Sequence, residues 1–239
     1  MAEVLLEVCV DSLQSLEAAL EGGADRIELC SALGLGGLTP SLGLMLAAGA
    51  ATVPVYALIR PRSGDFVYDT ADLVVMRADI DAARDCGMSG VVIGASLADG
   101  SLDTDMLEAL VLHSDGLGRT LHRAFDLTGA GMPAALELAV DLEFERILTS
   151  GGAPAAIEGV ARLADLFGWA GGRIGVMPGA GVTADVARVL AAKLPLTEIH
   201  GSCSAMVPAW GDGAHLGFLP QRLTSAHQVQ AMKAAVGRG

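Results

Sequence analysis

Aromatic side chains are scarce in this sequence, since Phe, Trp and Tyr together make up only 4% of its 239 residues. The hydrophobic fraction is nevertheless 52%, so the chain can bury a large core built mainly from Ala, Val, Leu and Ile. This composition excludes an intrinsically disordered protein, which lacks the apolar surface needed to offset the entropy of ordering. Because barrels of this length fold as one unit, we expect a single domain over residues 1–239.

Positive charge is also scarce. Lys and Arg number 15 against 28 Asp and Glu, which gives a formal net charge of −13. Proteins that bind nucleic acids neutralise phosphates with Lys and Arg, and anionic membrane surfaces attract the same residues. The sequence therefore predicts neither a nucleic-acid partner nor a membrane partner.

Targeting segments are absent from the first residues, MAEVLLEVCVDS, which lack the basic region and the cleavage site of a secretory signal. Residues 32–59 carry no charge, but Pro40 and Pro54 divide that stretch into pieces too short to cross a membrane. We therefore expect a cytoplasmic protein.

The cysteines lack the spacing of a C-x-x-C motif or a zinc ribbon. There are four of them, Cys9, Cys30, Cys86 and Cys203. The cytoplasm keeps thiols reduced, so a disulfide scaffold is not expected. Taken one at a time, such cysteines are most often small buried hydrophobes.

Eight strand-like runs alternate with segments of helical periodicity. The runs span residues 4–10, 26–30, 55–60, 90–94, 120–123, 146–149, 173–177 and 198–200. Start signals place the helices after Ser12, Thr39, Thr70, Asp103, Pro133, Pro154, Thr183 and Pro220. No G-x-G-x-x-G follows the first run, which gives a dinucleotide site little support. The strict alternation over eight units predicts an α/β fold, the (β/α)8 barrel.

Polar residues collect where these strands end, which is where the functional groups of such barrels lie. Side chains alternate between the two faces of a strand, so Glu7 and Cys9 share one face, as do Glu28 and Cys30. The residues between them are apolar and suit the helix layer. We therefore expect all four side chains to point into the barrel.

One interpretation is an enzyme that acts on a small anionic metabolite, either phosphorylated or carboxylated. Guanidinium groups and glycine-rich loops bind such anions, and titratable side chains transfer protons. The anion-binding candidates are Arg60, Arg62, Arg123, Ser150, Gly151, Gly179 and Gly181, and the catalytic candidates are Glu7, Glu28, His122, Asp126 and His200. The alternative is a structural network in which the three arginines neutralise Glu7 and Glu28.

A second interpretation is a copper site. Adjacent parallel strands lie ~4.8 Å apart, so inward thiols of Cys9 and Cys30 at equivalent heights would be close enough to share an ion. Soft thiolates select Cu(I) among the available metals. The alternative is a pair of buried thiols that fill a layer of small residues.

Seven segments of the chain are, in order, LEVCVDSLQSLEAALEGGADRIELC, GGLTPSLGL, IRPRSGDFVY, TLHRAFD, ILTSGG, GVMPGAGV and EIHGS. Together they resemble the CutC family of copper homeostasis proteins. The resemblance implies a (β/α)8 barrel, a cytoplasmic location, homo-oligomers in at least some members and Cu(I) bound by cysteines. The sequence departs from the family pattern at Val67, where many members carry Cys.

Overall fold

The computed structural model describes residues 3–208 and 220–237. Eight parallel strands form one sheet, namely β1 (Leu5–Val10), β2 (Arg26–Leu29), β3 (Val55–Leu58), β4 (Gly90–Ile93), β5 (Gly118–Leu121), β6 (Arg146–Thr149), β7 (Gly175–Pro178) and β8 (Glu198–Gly201). Their order is β7-β6-β5-β4-β3-β2-β1-β8, so β8 pairs with β1. Gly175 of β7 lies against the Glu198 side chain of β8, which brings the sheet nearly to closure.

Helices alternate with the strands around the outside. They are α1 (Leu13–Glu21), α2 (Leu42–Ala48), α3 (Thr70–Asp85), α4 (Thr104–His113), α5 (Met132–Asp141), α6 (Val160–Ala170), α7 (Ala184–Lys193) and α8 (Ala226–Val236). The predicted (β/α)8 barrel is thus confirmed. Within residues 3–208 and 220–237, no helix combines the length and the apolar composition needed to cross a membrane.

Side-chain caps set the starts of most helices. The side chains of Ser12, Ser41, Asp69, Asp103 and Thr183 each accept a hydrogen bond from a backbone N–H in the first turn of the following helix. Such a bond satisfies one of the amide groups that a helix start leaves unpaired. The start signals predicted at these positions are therefore confirmed within a residue or two.

Two predicted helix starts are wrong. Pro154 lies in a turn segment, and α6 begins only at Val160. Pro220 precedes a strand, β10 (Gln221–Thr224), which pairs antiparallel with β9 (Ser204–Val207). The last helix begins after this hairpin, so proline marked a boundary at both places without starting a helix.

The sheet separates two apolar regions. Leu6, Val8 and Val10 face the helices and belong to the main core. Cys9 and Cys30 instead belong to a smaller cluster inside the barrel with three residues of the next strands, Tyr56, Leu58 and Val92. The two thiols therefore point into the barrel, as the alternation predicts.

Candidate functional site

A network of charged side chains fills the barrel interior near the N-terminal ends of the strands. Arg26 is ion-paired with both Glu7 and Glu198. Arg146 donates from Nε to Glu198 Oε2 at 3.1 Å and from Nη1 to Thr120 Oγ1 at 2.9 Å. The partner of Glu7 is therefore Arg26 and not the arginines at the strand exits, which corrects the counter-ions expected from the sequence.

Cys9, Glu28 and His200 lie together closer to the C-terminal ends of their strands. Their ligand atoms are all within 4.8 Å of one another, and all three residues are buried. His200 Nε2 is 2.9 Å from Glu28 Oε2 and 3.9 Å from Glu7 Oε1. Burial lowers the pKa of His200, but the neighbouring Cys9 and Glu28 outweigh it and hold that pKa well above its usual value. His200 is therefore an imidazolium held against a carboxylate.

Cys30 does not stand level with Cys9. The register pairs Cys9 with Glu28, so Cys30 lies two residues further along the second strand. The prediction of equivalent heights is wrong, because adjacent barrel strands are staggered. Burial and the nearby Glu28 and Cys9 raise the pKa of the Cys30 thiol well above its usual value, so the thiol is protonated at neutral pH.

The other two cysteines belong to the main core, and Cys203 also lines a second cavity with Cys9 and His200. Cys86 and Cys203 are buried and belong to the main core between the sheet and the helices. Burial, with a contribution from Cys9, raises the pKa of Cys203 to about 12. Both are small buried hydrophobes.

A cavity of about 320 Å³ opens at the mouth of the barrel. Its lining combines thiols, titratable groups and apolar side chains, namely Cys9, Glu28, Cys30, Leu33, Leu35, Gly36, Leu58, Arg60, Phe66, His122, Arg123, Leu148, Ala180 and His200. Residues of seven strands or of the segments that follow them thus meet around one space. Its volume is at the lower end of the range for small-molecule sites.

Arg60 is a buried cation at this cavity, with 5% of its surface exposed. Its Nη1 donates to the carbonyl oxygens of Leu35 (3.1 Å) and Gly37 (2.8 Å), and Nη2 donates to that of Gly64 (2.7 Å). The guanidinium also lies 5.0 Å from the centre of the Phe66 ring. No carboxylate of residues 3–208 or 220–237 forms an ion pair with Arg60, and its Nε has no partner there.

His122 is a buried neutral imidazole on the same side of the cavity. Burial, followed by the charge of Arg60, lowers its pKa to about 3. Its Nδ1 accepts a hydrogen bond from the backbone N–H of Ala124 at 3.1 Å, and its ring lies 4.6 Å from that of Phe66. Gly94 makes room for it, since a Cβ there would lie 2.4 Å from the imidazole. A group with this pKa is a poor proton shuttle at neutral pH.

Asp126 points into the loop that follows β6 and not into the cavity. Its carboxylate accepts hydrogen bonds from the Thr149 hydroxyl, the Ser150 N–H and hydroxyl, and the Gly152 N–H. It also pairs with Arg123 Nε at 2.8 Å. An internal carboxylate thus occupies the loop donors that the sequence offered to an anionic ligand, and it neutralises Arg123.

Arg62 lies outside the cavity. Its side chain is 41% exposed and pairs with Asp65 at 3.0 Å and with Asp72 at 3.1 Å. It also donates to the carbonyl of Val67, which does not line the cavity either. Arg62 therefore braces the loop before α3.

The glycines after β6 and β7 serve close packing and turns. Gly179 has no space for a Cβ, which would lie 2.4 Å from Leu148, and its N–H donates to the Thr149 carbonyl. Gly151 and Gly181 have positive φ angles of 72° and 67°. These conformations favour glycine whether or not a ligand binds nearby.

Sequence reasoning missed part of the polar interior. Arg26, Arg146 and Glu198 stand at the first positions of their strands, and the alternation that placed Glu28 inside also places Arg26 inside. The Tyr68 hydroxyl, buried without a partner in the described chain, gave no signal because its position depends on the loop that follows β3.

The sequence and the fold of this chain are similar to those of known proteins. A sequence profile of the CutC family matches residues 4–205. The family protein CutC of Rhizobium meliloti is 56% identical over 98% of this chain and 96% of its own length, and that of Sinorhizobium medicae is 57% identical over 99% and 97%. A crystal structure of CutC from Streptococcus agalactiae, provisionally assigned to copper homeostasis, is 31% identical with a TM-score of 0.79 and covers 83% of this chain and 98% of its own. This chain therefore belongs to the CutC family.

Proposed function

We propose that the protein is an enzyme for a small anionic metabolite, with the anion held at Arg60 and protons transferred by Glu28 and His200. The observation that carries this proposal is the buried guanidinium of Arg60, which lines the cavity and has no carboxylate partner in residues 3–208 and 220–237. The other cavity arginine, Arg123, is already paired with Asp126.

An uncompensated buried charge is unfavourable in the free protein. Removing an ion from water costs several kcal/mol unless opposite charge or hydrogen bonds replace the solvent. Three carbonyl groups and one aromatic face replace part of it at Arg60. A ligand anion would supply the missing negative charge in a desolvated site, where charge-assisted hydrogen bonds are strong.

The acid–base pair lines the same cavity. His200 is protonated and lies 2.9 Å from Glu28, so it can donate a proton while the carboxylate accepts one. This arrangement suits a lyase, an isomerase or a hydrolase that needs no metal.

A metabolite screen by thermal shift tests this proposal. A ligand at about 100 times its Kd stabilises the folded state by ~2.7 kcal/mol. We expect small anionic metabolites to raise the melting temperature of the parent and of Arg62→Met, but not that of Arg60→Met. Arg62 is the matched control because it is an arginine of the same loop that lies outside the cavity. An anion that stabilises Arg60→Met as much as the parent would refute the proposed binding mode.

Proton transfer can be measured separately on any ligand found. Incubation in D2O should exchange a carbon-bound proton of the ligand, observable by proton NMR. Glu28→Gln and His200→Gln should each abolish the exchange while the ligand still binds. Exchange at the parental rate in both variants would exclude this pair as the catalytic groups.

A second candidate function, Cu(I) binding in copper homeostasis, is supported by the donor atoms of Cys9, Glu28 and His200 within 4.8 Å of one another. Thiolate and imidazole are donors that Cu(I) accepts, and Cys30 lines the same cavity as a second thiol. Copper would be cargo held by Cys9 and Cys30. A cytoplasmic location and a homo-oligomeric state belong to this proposal as well.

Copper binding is tested by titrating anaerobic, reduced protein with Cu(I) against a competing chelator. The double variant Cys9→Ser, Cys30→Ser should lose the tight site. The matched control is Cys86→Ser, which removes a buried thiol of the main core and should keep it. Equal affinity in the double variant and in this control would remove Cys9 and Cys30 as the ligands.

A further inference from the structure

We propose that Arg60 and His122 form a subsite for one carboxylate group of the ligand, and that His122 acts there as a hydrogen-bond donor and not as an acid or base. This inference rests on the proposed anion site and names the chemical group that the site takes. It assigns His122 a role in recognition, whereas the sequence had suggested catalysis.

The tautomer of His122 follows from its contacts. Nδ1 accepts the Ala124 N–H, so in the neutral ring the proton is on Nε2. That Nε2–H is buried and has no partner among residues 3–208 and 220–237. A buried donor left unpaired is unfavourable, and an acceptor on the ligand would relieve that cost.

Arg60 offers unpaired donors on the same side of the cavity. A guanidinium carries five N–H groups, and carbonyl oxygens take three of them here. The Nε–H is one of those left over, and it is buried without a partner in the described chain. Both side chains contact the ring of Phe66, with the Arg60 guanidinium 5.0 Å and the His122 ring 4.6 Å from its centre.

The charge of this side of the mouth fits a carboxylate better than a phosphate. Arg60 contributes one unneutralised positive charge and His122 is neutral, whereas a phosphate ester brings nearly two negative charges at pH 7. The N–H groups of Ser150 and Gly152, which the loop after β6 could have offered to a phosphate, are bonded to Asp126. A single planar carboxylate therefore matches the donors in number and in charge.

The position of the subsite also orients the ligand. Arg60 and His122 follow β3 and β5, whereas Glu28 and His200 belong to β2 and β8, and all four residues line the same cavity. A carboxylate bound at Arg60 would direct its neighbouring carbon atoms toward the acid–base pair. The cavity of about 320 Å³ is at the lower end of the range for small-molecule sites, which suits a small ligand.

Matched pairs of probes test this subsite by isothermal titration. The probes are lactate and pyruvate, lactamide as the neutral counterpart of lactate, and glycerol phosphate as a phosphate ester without a carboxylate. We expect a carboxylate probe to bind the parent at least about tenfold more tightly than lactamide or glycerol phosphate. His122→Phe keeps the ring beside Phe66 but removes the donor, and should weaken carboxylate binding about tenfold. His122→Gln, which restores an N–H donor, should recover part of that loss.

Side-chain ¹⁵N NMR gives a readout that a purely structural role would not move. The Nε2–H proton of His122 should shift downfield when lactate or pyruvate binds, and should not shift with lactamide. If glycerol phosphate binds more tightly and in an Arg60-dependent way, the carboxylate assignment is overturned while the proposed anion site stands. If carboxylates bind but His122→Phe changes nothing, the role of His122 is overturned. If neither class of anion binds, the subsite and the proposed function both fail.

Discussion

Replacing Arg26 with Met should destabilise this protein more than removing any exposed ion pair. Arg26 is 4% exposed and Glu7 is fully buried, and the guanidinium bridges the carboxylates of Glu7 and Glu198. In Arg26→Met the Glu198 carboxylate keeps Arg146 at 3.1 Å. Glu7 keeps only the distant His200, 3.9 Å away, so the variant buries a carboxylate without a close partner.

The size of the effect follows from that unpaired charge. Breaking a buried pair by removing one partner costs about 3–5 kcal/mol. For a chain of this size each kcal/mol corresponds to roughly 2–4 °C, so the melting temperature should fall by about 6–20 °C. The matched control is Arg173→Met, because Arg173 also forms two 2.7 Å bonds to a carboxylate, that of Glu137, but at the surface. Solvent screens that pair, so its loss should change the midpoint little.

Urea denaturation monitored by circular dichroism measures both variants under the same conditions. Adding Glu7→Gln to Arg26→Met removes the unpaired carboxylate, so the double variant should recover most of the lost stability. The interpretation is refuted if Arg26→Met costs no more than Arg173→Met, or if the double variant is less stable than Arg26→Met alone. Either result would mean that the charge on Glu7 is not what makes the substitution costly.

Three further predictions concern single side chains. His122 has a pKa of about 3 in the folded protein, below its value in the unfolded chain, so its contribution to the free energy of unfolding is fully present above about pH 6.5. That contribution should fall by about 1.4 kcal/mol for each pH unit below this value. His122→Asn should remove this pH dependence in urea titrations at several pH values. Asp126→Ala should cost about 2–4 kcal/mol in unfolding free energy because it leaves buried loop donors unpaired, and a cost near zero would contradict its structural role. Gly94→Ala should lower the melting temperature, because its Cβ would meet the His122 ring at 2.4 Å, whereas Gly43→Ala, with open space around it, should not.

The barrel was predictable because its signals are local. Alternating runs of β-branched and helical sequence define the eight units, and polar residues such as Asp69 and Asp103 define the helix starts through their own first-turn bonds. The same alternation correctly turned Cys9 and Cys30 inward. Each of these inferences uses only residues close together in the chain.

The site was less predictable because its contacts are long-range. The stagger between β1 and β2 places Cys9 beside Glu28, and no sequence pattern within either strand encodes that stagger. Asp126 looked like a catalytic group at a strand exit, yet the fold of the next loop turns Thr149, Ser150 and Gly152 toward it. The hydrogen-bond partners of such a side chain depend on the conformation of a distant loop, which the sequence alone does not predict.

The arginines of this protein have different roles because they have different partners. Arg26 is neutralised inside the barrel, Arg123 beside the cavity and Arg62 in a loop, each by carboxylates of the chain itself. Burying a charged pair rarely stabilises a fold more than a well-packed apolar pair would, so an arginine with no carboxylate at all is the least favourable case for stability alone. Of the two arginines that line the cavity, Arg60 is that case, and thiols, carboxylate and imidazolium meet in the same cavity. The charge that the chain leaves unpaired is therefore the best indication of the charge that its ligand carries.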